Sequence, residues 1–118
     1  MGDEQELKFN DFKIASRALE FIAGLAATEV DGVTSLSGGV VESIADWLRK
    51  GSTKGVKVSL EDKEINVDVH LCADYGYVIK EVAEKVQLSV KEALEGMTGW
   101  KVRGVNVFID GLNFPPQG

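Results

Sequence analysis

Apolar residues recur along this chain with two different periods, and the change from one period to the other marks out helices and strands. Spacings of three and four residues predict helices over residues 17–30, 40–50 and 78–97. Alternation of apolar and polar residues predicts strands over residues 56–61, 65–71 and 100–110, with a short edge strand over 7–13. The stretch 33–39 ends in Ser37-Gly38-Gly39, and we expect it to be a flexible joint.

Each of the two clearest helices has a single apolar stripe. The stripe of the first helix contains Leu19, Ile22, Ala23, Ala26 and Val30, widened by Phe21 and Leu25. The stripe of the longest helix contains Ile79, Val82, Ala83, Val86, Val90, Leu94 and Met97. We expect Ser16 to cap the first helix and Asp31-Gly32 to end it. One-sided stripes indicate helices that pack against a shared core.

The order of the predicted elements, (β)ααββαβ, and their one-sided faces indicate an α+β fold. We expect two layers, with a small, mainly antiparallel sheet and the helices packed on one of its faces. Asp62-Lys63 has the position of a tight hairpin turn, and Arg103-Gly104 that of a bulge, because the apolar phase slips there by one residue. A right-handed crossover is expected to place the last strand beside residues 56–61, which would make that strand central.

The length and composition of the chain disfavour some classes of function and some cellular compartments. The 118 residues fit a single domain spanning 1–118, with an ordered core over about 7–112. With 13 Lys and Arg against 19 Asp and Glu, the net charge of −6 makes nucleic acid an unlikely partner. A single cysteine, Cys72, fits a reducing compartment, and we expect a cytoplasmic protein. We see no signal peptide and no apolar run that would insert directly into a membrane.

The polar phase of the strands defines an outer sheet face that the helices leave uncovered in this prediction. It comprises Lys57, Ser59, Asn66, Asp68, His70, Cys72, Asn106 and Phe108. Within it, Asp68, His70 and Phe108 are candidate partner-contact residues. Trp47, at the margin of the helix over 40–50, is a fourth candidate, and we favour packing or partner contact for it over lipid binding.

The residues predict no catalytic constellation, no cofactor site and no metal site, so we expect a protein that is not an enzyme. His70 has Asp68 and Cys72 on its own strand face, but three residues in one row do not surround a tetrahedral ion. Gly96-Met97-Thr98-Gly99 has the spacing of the GxxG loop of KH domains, but here it joins a helix to a strand. A small metal-binding or RNA-binding module that uses the outer face remains the alternative.

A set of short motifs spread over residues 14–112 resembles the bacterial alkaline shock protein family, also called the cell-envelope stress-response family. They are Ile22-Ala23, Ala26-Ala27, Glu29-Val30-Asp31-Gly32-Val33, Ser37-Gly38-Gly39, Lys54-Gly55-Val56-Lys57-Val58, Asp74-Tyr75-Gly76, Glu81-Val82-Ala83, Val86-Gln87, Met97-Thr98-Gly99 and Val105-Asn106-Val107. The sequence departs from the family pattern at Lys80, where proline is common, and at Ala73-Asp74, where a Val-Glu type of pair is frequent.

The resemblance implies a small, non-enzymatic cytoplasmic protein of the cell-envelope or alkaline stress response that acts through protein–protein interaction. Some members gather at the inner face of the membrane through a membrane-anchored partner, and others are linked to fatty-acid synthesis through acetyl-CoA carboxylase. Self-association is a further expectation. The family has no agreed catalytic residues, so the resemblance transfers no catalytic site.

Overall fold

The computed structural model describes residues 6–9, 12–37 and 55–114. In these ranges the helices are α1 (Ser16–Thr28) and α2 (Ile79–Thr98). The strands are β1 (Glu6–Phe9), β2 (Phe12–Ala15), β3 (Val33–Leu36), β4 (Val56–Glu61), β5 (Glu64–Asp74) and β6 (Lys101–Asn113). The predicted helix over 40–50, with Trp47, lies outside the described residues.

Strand β5 is the centre of the main sheet. It pairs in the antiparallel sense with β4 and β3, which lie one after the other along the same side, and in the parallel sense with β6 on the other side. The backbone of His70 joins both antiparallel neighbours, because its N–H donates to Gly55 and its C=O accepts from Ser37. The sheet with helices on one face confirms the predicted α+β class.

The predicted strand order is wrong, because the last strand does not lie beside residues 56–61. Instead, β6 pairs with β5 along 11 residue pairs, whereas β4 has only six residues to offer. The free edge of β4 is also occupied already, since Oε2 of the buried Glu20 accepts a hydrogen bond of 3.0 Å from the N–H of Val58. Strand β5, whose inward-facing residues are all fully buried, thus takes the position with a neighbour on both sides.

Other local predictions hold with different boundaries. The strand expected over 7–13 is the antiparallel pair β1 and β2, and the expected joint over 33–39 contains β3. Ser16 does not cap α1 but is its first residue, and α1 ends at Thr28 rather than at residue 30. The hairpin turn is confirmed, since Asp62 and Lys63 have φ values of 50° and 64°, as a type I′ turn requires.

The core lies between the two helices and the inner face of the sheet. Its fully buried side chains are Leu19, Ala23 and Ala27 of α1, Val86, Val90 and Leu94 of α2, and Ile65, Val67, Val69, Leu71 and Ala73 of β5. The alanines of α1 do allow close approach, because Oγ of Ser89 in α2 donates a 2.9 Å hydrogen bond to the C=O of Ala26. Leu25 and Met97, which were assigned to the stripes, are instead 48% and 66% exposed.

The turn from α1 into β3 brings its backbone close to α2. Gly32 has a φ of 99°, and a Cβ placed there would lie 2.7 Å from Cγ2 of Val82. The N–H of Asp74 also donates to the C=O of Gly32, which fixes this turn at the end of β5. A side chain at this position would therefore strain the backbone and collide with α2.

Strand β6 has two bulges that set the direction of its side chains. The first is the predicted one, since Ile65 lies opposite Val102 and Asn66 opposite Gly104, which leaves Arg103 as the extra residue. The second was not predicted and makes Asp110 the extra residue. Asp110 follows Asn106 and Phe108 in the outer phase, and the bulge leaves it without a paired residue on β5 and shifts the phase of the residues after it.

Candidate functional site on the outer sheet face

The outer face is the side of the sheet opposite α1 and α2. Along β5 every second residue is fully buried, and the residues between them are partly exposed. Their register places His70 opposite Phe108 and Asp68 opposite Asn106 on β6. Three of the four candidate partner-contact residues, Asp68, His70 and Phe108, therefore form one continuous patch.

An aromatic pair forms the middle of this patch. The rings of His70 and Phe108 are stacked with centroids 4.3 Å apart and an angle of 10° between their planes. Phe108 is 43% exposed although it is a large apolar residue. Because the stack restrains both rings, a partner would meet a preformed apolar contact that loses little side-chain entropy on binding.

Beside this aromatic pair, the carboxylate of Asp110 in β6 contacts side chains from two other parts of the sheet. Oδ2 of Asp110 accepts a 2.7 Å hydrogen bond from Oγ of Ser37, which follows β3, and lies 3.0 Å from Nδ1 of His70 in β5. The hydroxyl of Ser37 first, and then the hydrogen bond and charge of His70, hold the pKa of Asp110 below its ordinary value. The carboxylate is therefore ionised and oriented at neutral pH.

Two further carboxylates are held by neighbouring strands. Asp68 accepts a 2.9 Å hydrogen bond from the amide of Asn106. Asp74 accepts hydrogen bonds from the hydroxyl of Thr34 and from the amide of Asn113. The donors of these bonds are neutral, and the basic residue beside Asp68 is Lys57, which lies opposite it on β4.

Acidic and basic side chains of the outer face are unevenly distributed along the strands, and Lys57 of β4 lies opposite Asp68 of β5. At the beginning of β6, Arg103 lies 3.2 Å from Glu61 and 3.9 Å from Glu64, so its positive charge is partly balanced. Asp68 and Asp110 flank the aromatic pair, and Asp74 lies at the end of β5, four residues beyond His70. We call these three residues with His70 and Phe108 the acidic patch.

The fold and this geometry can be compared with known proteins. The sequence profile of a family described as having a cell envelope-related function matches residues 4–114. The chain is 34% identical over 113 residues to the uncharacterized protein YqhY of Bacillus subtilis, an alignment that covers 95% of this chain and 84% of YqhY. The chain belongs to the alkaline shock protein 23 family.

Other similarities are more distant. The chain is 30% identical over 93 residues to a stress response regulator gls24 homolog of Streptococcus pyogenes, covering 77% of this chain and 52% of that protein. A solved structure named MamM CTD aligns with 84% of the chain at a TM-score of 0.49 and 15% identity. The resemblance to the alkaline shock protein family drawn from the short motifs is confirmed, and the family is one related to cell-envelope stress.

The structure also tests the geometry that was expected around His70. Its partner is Asp110 and not Asp68, which bonds to Asn106 instead. Cys72 lies in the same row but faces Gly111, which has no side chain. Among the described residues, no three His, Cys, Asp or Glu side chains are grouped so that they could hold a metal ion.

The sequence reasoning missed Asp110 and Ser37 because each acts across the sheet. A signal for the second bulge, at Asp110, was present in the spacing of the apolar residues. Ile109 and Leu112 are three positions apart, as Val102 and Val105 are around the first bulge. In both places the inward phase slips by one residue, and both inner partners on β5 are buried. Nothing comparable in the sequence pointed to Ser37.

One further motif from the sequence has a structural role. The Gly96-Met97-Thr98-Gly99 segment completes α2, with Gly99 in the left-handed conformation at a φ of 75°. The hydroxyl of Thr98 donates to the C=O of Leu94 and accepts from the N–H of Trp100, so the segment is a helix-ending turn. Within the described part of the chain, no helix has both the length and the apolar character needed to cross a membrane.

Proposed function

We propose that this protein acts without catalysis in the cell-envelope stress response, by binding a protein partner through the acidic patch. The observation that carries the proposal is an exposed, stacked aromatic pair that is flanked by the oriented carboxylates of Asp68 and Asp110, with the carboxylate of Asp74 further along β5. Such a surface offers a central apolar contact with a charged surround, which is the usual composition of a protein-binding site.

The charge of the patch favours a basic partner segment. Cytoplasmic segments that flank membrane-spanning helices are enriched in lysine and arginine. A membrane-anchored protein with such a segment would hold this chain at the inner face of the membrane while the chain itself stays in the cytoplasm. Acetyl-CoA carboxylase, the other partner implied by the family resemblance, is the soluble candidate.

The same charges disfavour the RNA-binding alternative. A phosphate backbone is bound by clustered lysine and arginine, whereas Asp68, Asp74 and Asp110 would repel it. Of the basic residues on this face, Arg103 contacts Glu61 and Glu64, and Lys57 lies opposite Asp68. A partner protein is therefore the better match to this surface.

The test is recovery of partners from native cells by the full chain, with membrane and soluble fractions analysed separately by mass spectrometry. Asp68→Lys and Phe108→Ala alter the patch, while Glu92→Lys and Leu88→Ala make matched changes on the exposed surface of α2. We expect the two patch variants to lose a partner that the two control variants retain. An integral membrane protein would support the envelope role, and subunits of acetyl-CoA carboxylase would support a metabolic one.

Circular dichroism must first show that all four variants are folded. If both patch variants recover the same partners as the control variants, the acidic patch is not the binding surface. Recovery of RNA that is released by salt, with no protein partner, would favour the alternative function.

A further inference from the structure

In the described ranges of the chain, one side of β6 has no neighbouring strand, and the two halves of β6 differ in whether the backbone groups on that side are hydrogen-bonded to α2. In the first half, Glu95 of α2 accepts a 2.9 Å hydrogen bond from the N–H of Val102, and Gln87 donates a 3.0 Å hydrogen bond to the C=O of Val105. These side chains occupy backbone groups that another strand would need. The first half of the edge is therefore closed to strand addition.

Within the part of the chain that the structure describes, the second half of the edge is open. The backbone of His70 bonds toward β3 and β4, so its neighbours Val69 and Leu71 must bond toward β6. The residues opposite them, Val107 and Ile109, consequently direct their N–H and C=O groups away from the sheet. Among the described residues, no group bonds to these backbone atoms on that side.

We propose that a second copy of this chain pairs with this edge, antiparallel to it, across a two-fold axis at Phe108. In this register Val107 lies opposite Ile109 of the second copy, so that each pair exchanges two backbone hydrogen bonds. Phe108 lies opposite Phe108 of the second copy, in a position where the side chains of antiparallel strands come closest. The two sheets then form one continuous sheet.

The side chains of this segment are complementary to themselves in that register. Asn106 lies opposite Asp110 of the second copy, so that no two like charges face each other in this register. The segment from Asn106 to Asn113 contains no lysine, arginine or proline, the residues that commonly protect an exposed edge. Its one charged residue, Asp110, is directed toward Ser37 and His70.

This interface is compatible with the proposed partner site. Because Phe108 stays on the outer face, the continuous sheet would carry two acidic patches side by side. The inference rests on the backbone of β6 and not on the partner, so the two proposals are tested separately. Self-association is measured on the purified chain, whereas partner recovery is measured in cell extracts.

The first test is the mass of the purified chain by light scattering over a concentration series. We expect twice the 12.8 kDa of the single chain for the wild type and the single mass for Val107→Pro. The N–H of Val107 points away from β5, so proline there removes an intermolecular donor and leaves the intramolecular ladder intact. A wild type that has the single mass at every concentration overturns the proposal, and so does an assembly that a folded Val107→Pro leaves unchanged.

The register is tested with charges and does not depend on Val107→Pro being folded. Phe108→Lys and Phe108→Glu each place like charges opposite one another, so each variant alone is expected to have the single mass. An equal mixture should recover the double mass, because lysine then faces glutamate. If the mixture stays at the single mass, or if either variant alone has the double mass, the two-fold axis does not lie at Phe108.

Disulfide formation is a second test of the position of the two-fold axis at Phe108. In a Cys72→Ser background, Phe108→Cys should cross-link into a covalent dimer under mild oxidation, because Cβ atoms at such a position are within reach of a disulfide. Lys57→Cys, on the outer face of β4, is the matched control and should run as a monomer in non-reducing electrophoresis. Equal cross-linking of both variants would contradict the proposed interface.

Discussion

The clearest quantitative prediction concerns Val86, which lies in the middle of α2 and is fully buried. Val86→Ala removes two methyl groups from the core, which costs about 1.6 kcal/mol at about 0.8 kcal/mol per buried carbon. The cavity left behind adds about 1 kcal/mol. Alanine favours the helix by about 0.5 kcal/mol, so the expected net loss in the free energy of unfolding is about 2 kcal/mol.

The assay is urea unfolding followed by far-UV circular dichroism, which gives the free energy of unfolding and the slope m together. Leu88→Ala is the matched control, because Leu88 lies two residues further along the same helix but is 55% exposed. Although it removes more carbon than Val86→Ala, we expect a change within about 0.5 kcal/mol. In a thermal scan, Val86→Ala should lower the Tm by about 10 °C, since 1 kcal/mol corresponds to about 4–8 °C in small domains.

Equal losses for the two variants, or a larger loss for Leu88→Ala, would refute the assignment of the buried face of α2. A changed slope m in Val86→Ala would instead show that the surface exposed on unfolding had changed, and the calculation above would then not apply. An unchanged m with a shifted midpoint is the expected result.

Three further changes test the turn, the sheet edge and the bridging carboxylate. Gly32→Ala should cost at least about 2 kcal/mol in urea unfolding, because a side chain there is strained and collides with α2; Gly96→Ala, in a helix with open space around it, should be neutral or stabilising by up to about 1 kcal/mol. Glu20→Ala leaves the N–H of Val58 without its acceptor and should cost about 1–3 kcal/mol in thermal unfolding; an unchanged Tm would mean that this contact does not support the edge. Because the folded pKa of Asp110 is lowered, its carboxylate stabilises the fold above the ordinary pKa of aspartate and loses that effect as the pH falls through the lowered pKa. The urea midpoint of Asp110→Asn should therefore lie below that of the wild type at pH 7 and approach it in acid, and a gap that does not depend on pH would contradict this assignment.

Much of the candidate site followed from the alternation of residues along single strands. Asp68, His70 and Phe108 were placed on one face by their phase, and the register confirms that they are neighbours. The acidic character of the patch was less visible, because Asp110 is the last residue of the strand predicted over 100–110 and Asp74 lies beyond the strand predicted over 65–71. A bulge reverses the phase of every residue that follows it, so a short apolar pattern read in one phase does not show it.

The identity of the edge strands also depended on contacts that a linear pattern does not contain. Apolar and polar residues alternate in the same way in β4 and in β5, so the pattern alone allowed either to be the central strand of the sheet. Their lengths differ, and a buried glutamate of α1 occupies the edge of β4. Glu20 was not expected in the core, since charged side chains are buried only where a specific partner compensates them.

The sequence by itself determined the secondary structure of the long elements, the inner and outer faces of the strands, the hairpin turn, the first bulge and the family. These features depend on neighbours within a few residues, where periodicity and turn chemistry act directly. Only the tertiary structure decided the order of the strands, the closed and open halves of the β6 edge, and the bridge formed by Asp110. That bridge joins His70 across 40 residues and Ser37 across 73, and such pairings form only when the whole sheet is assembled.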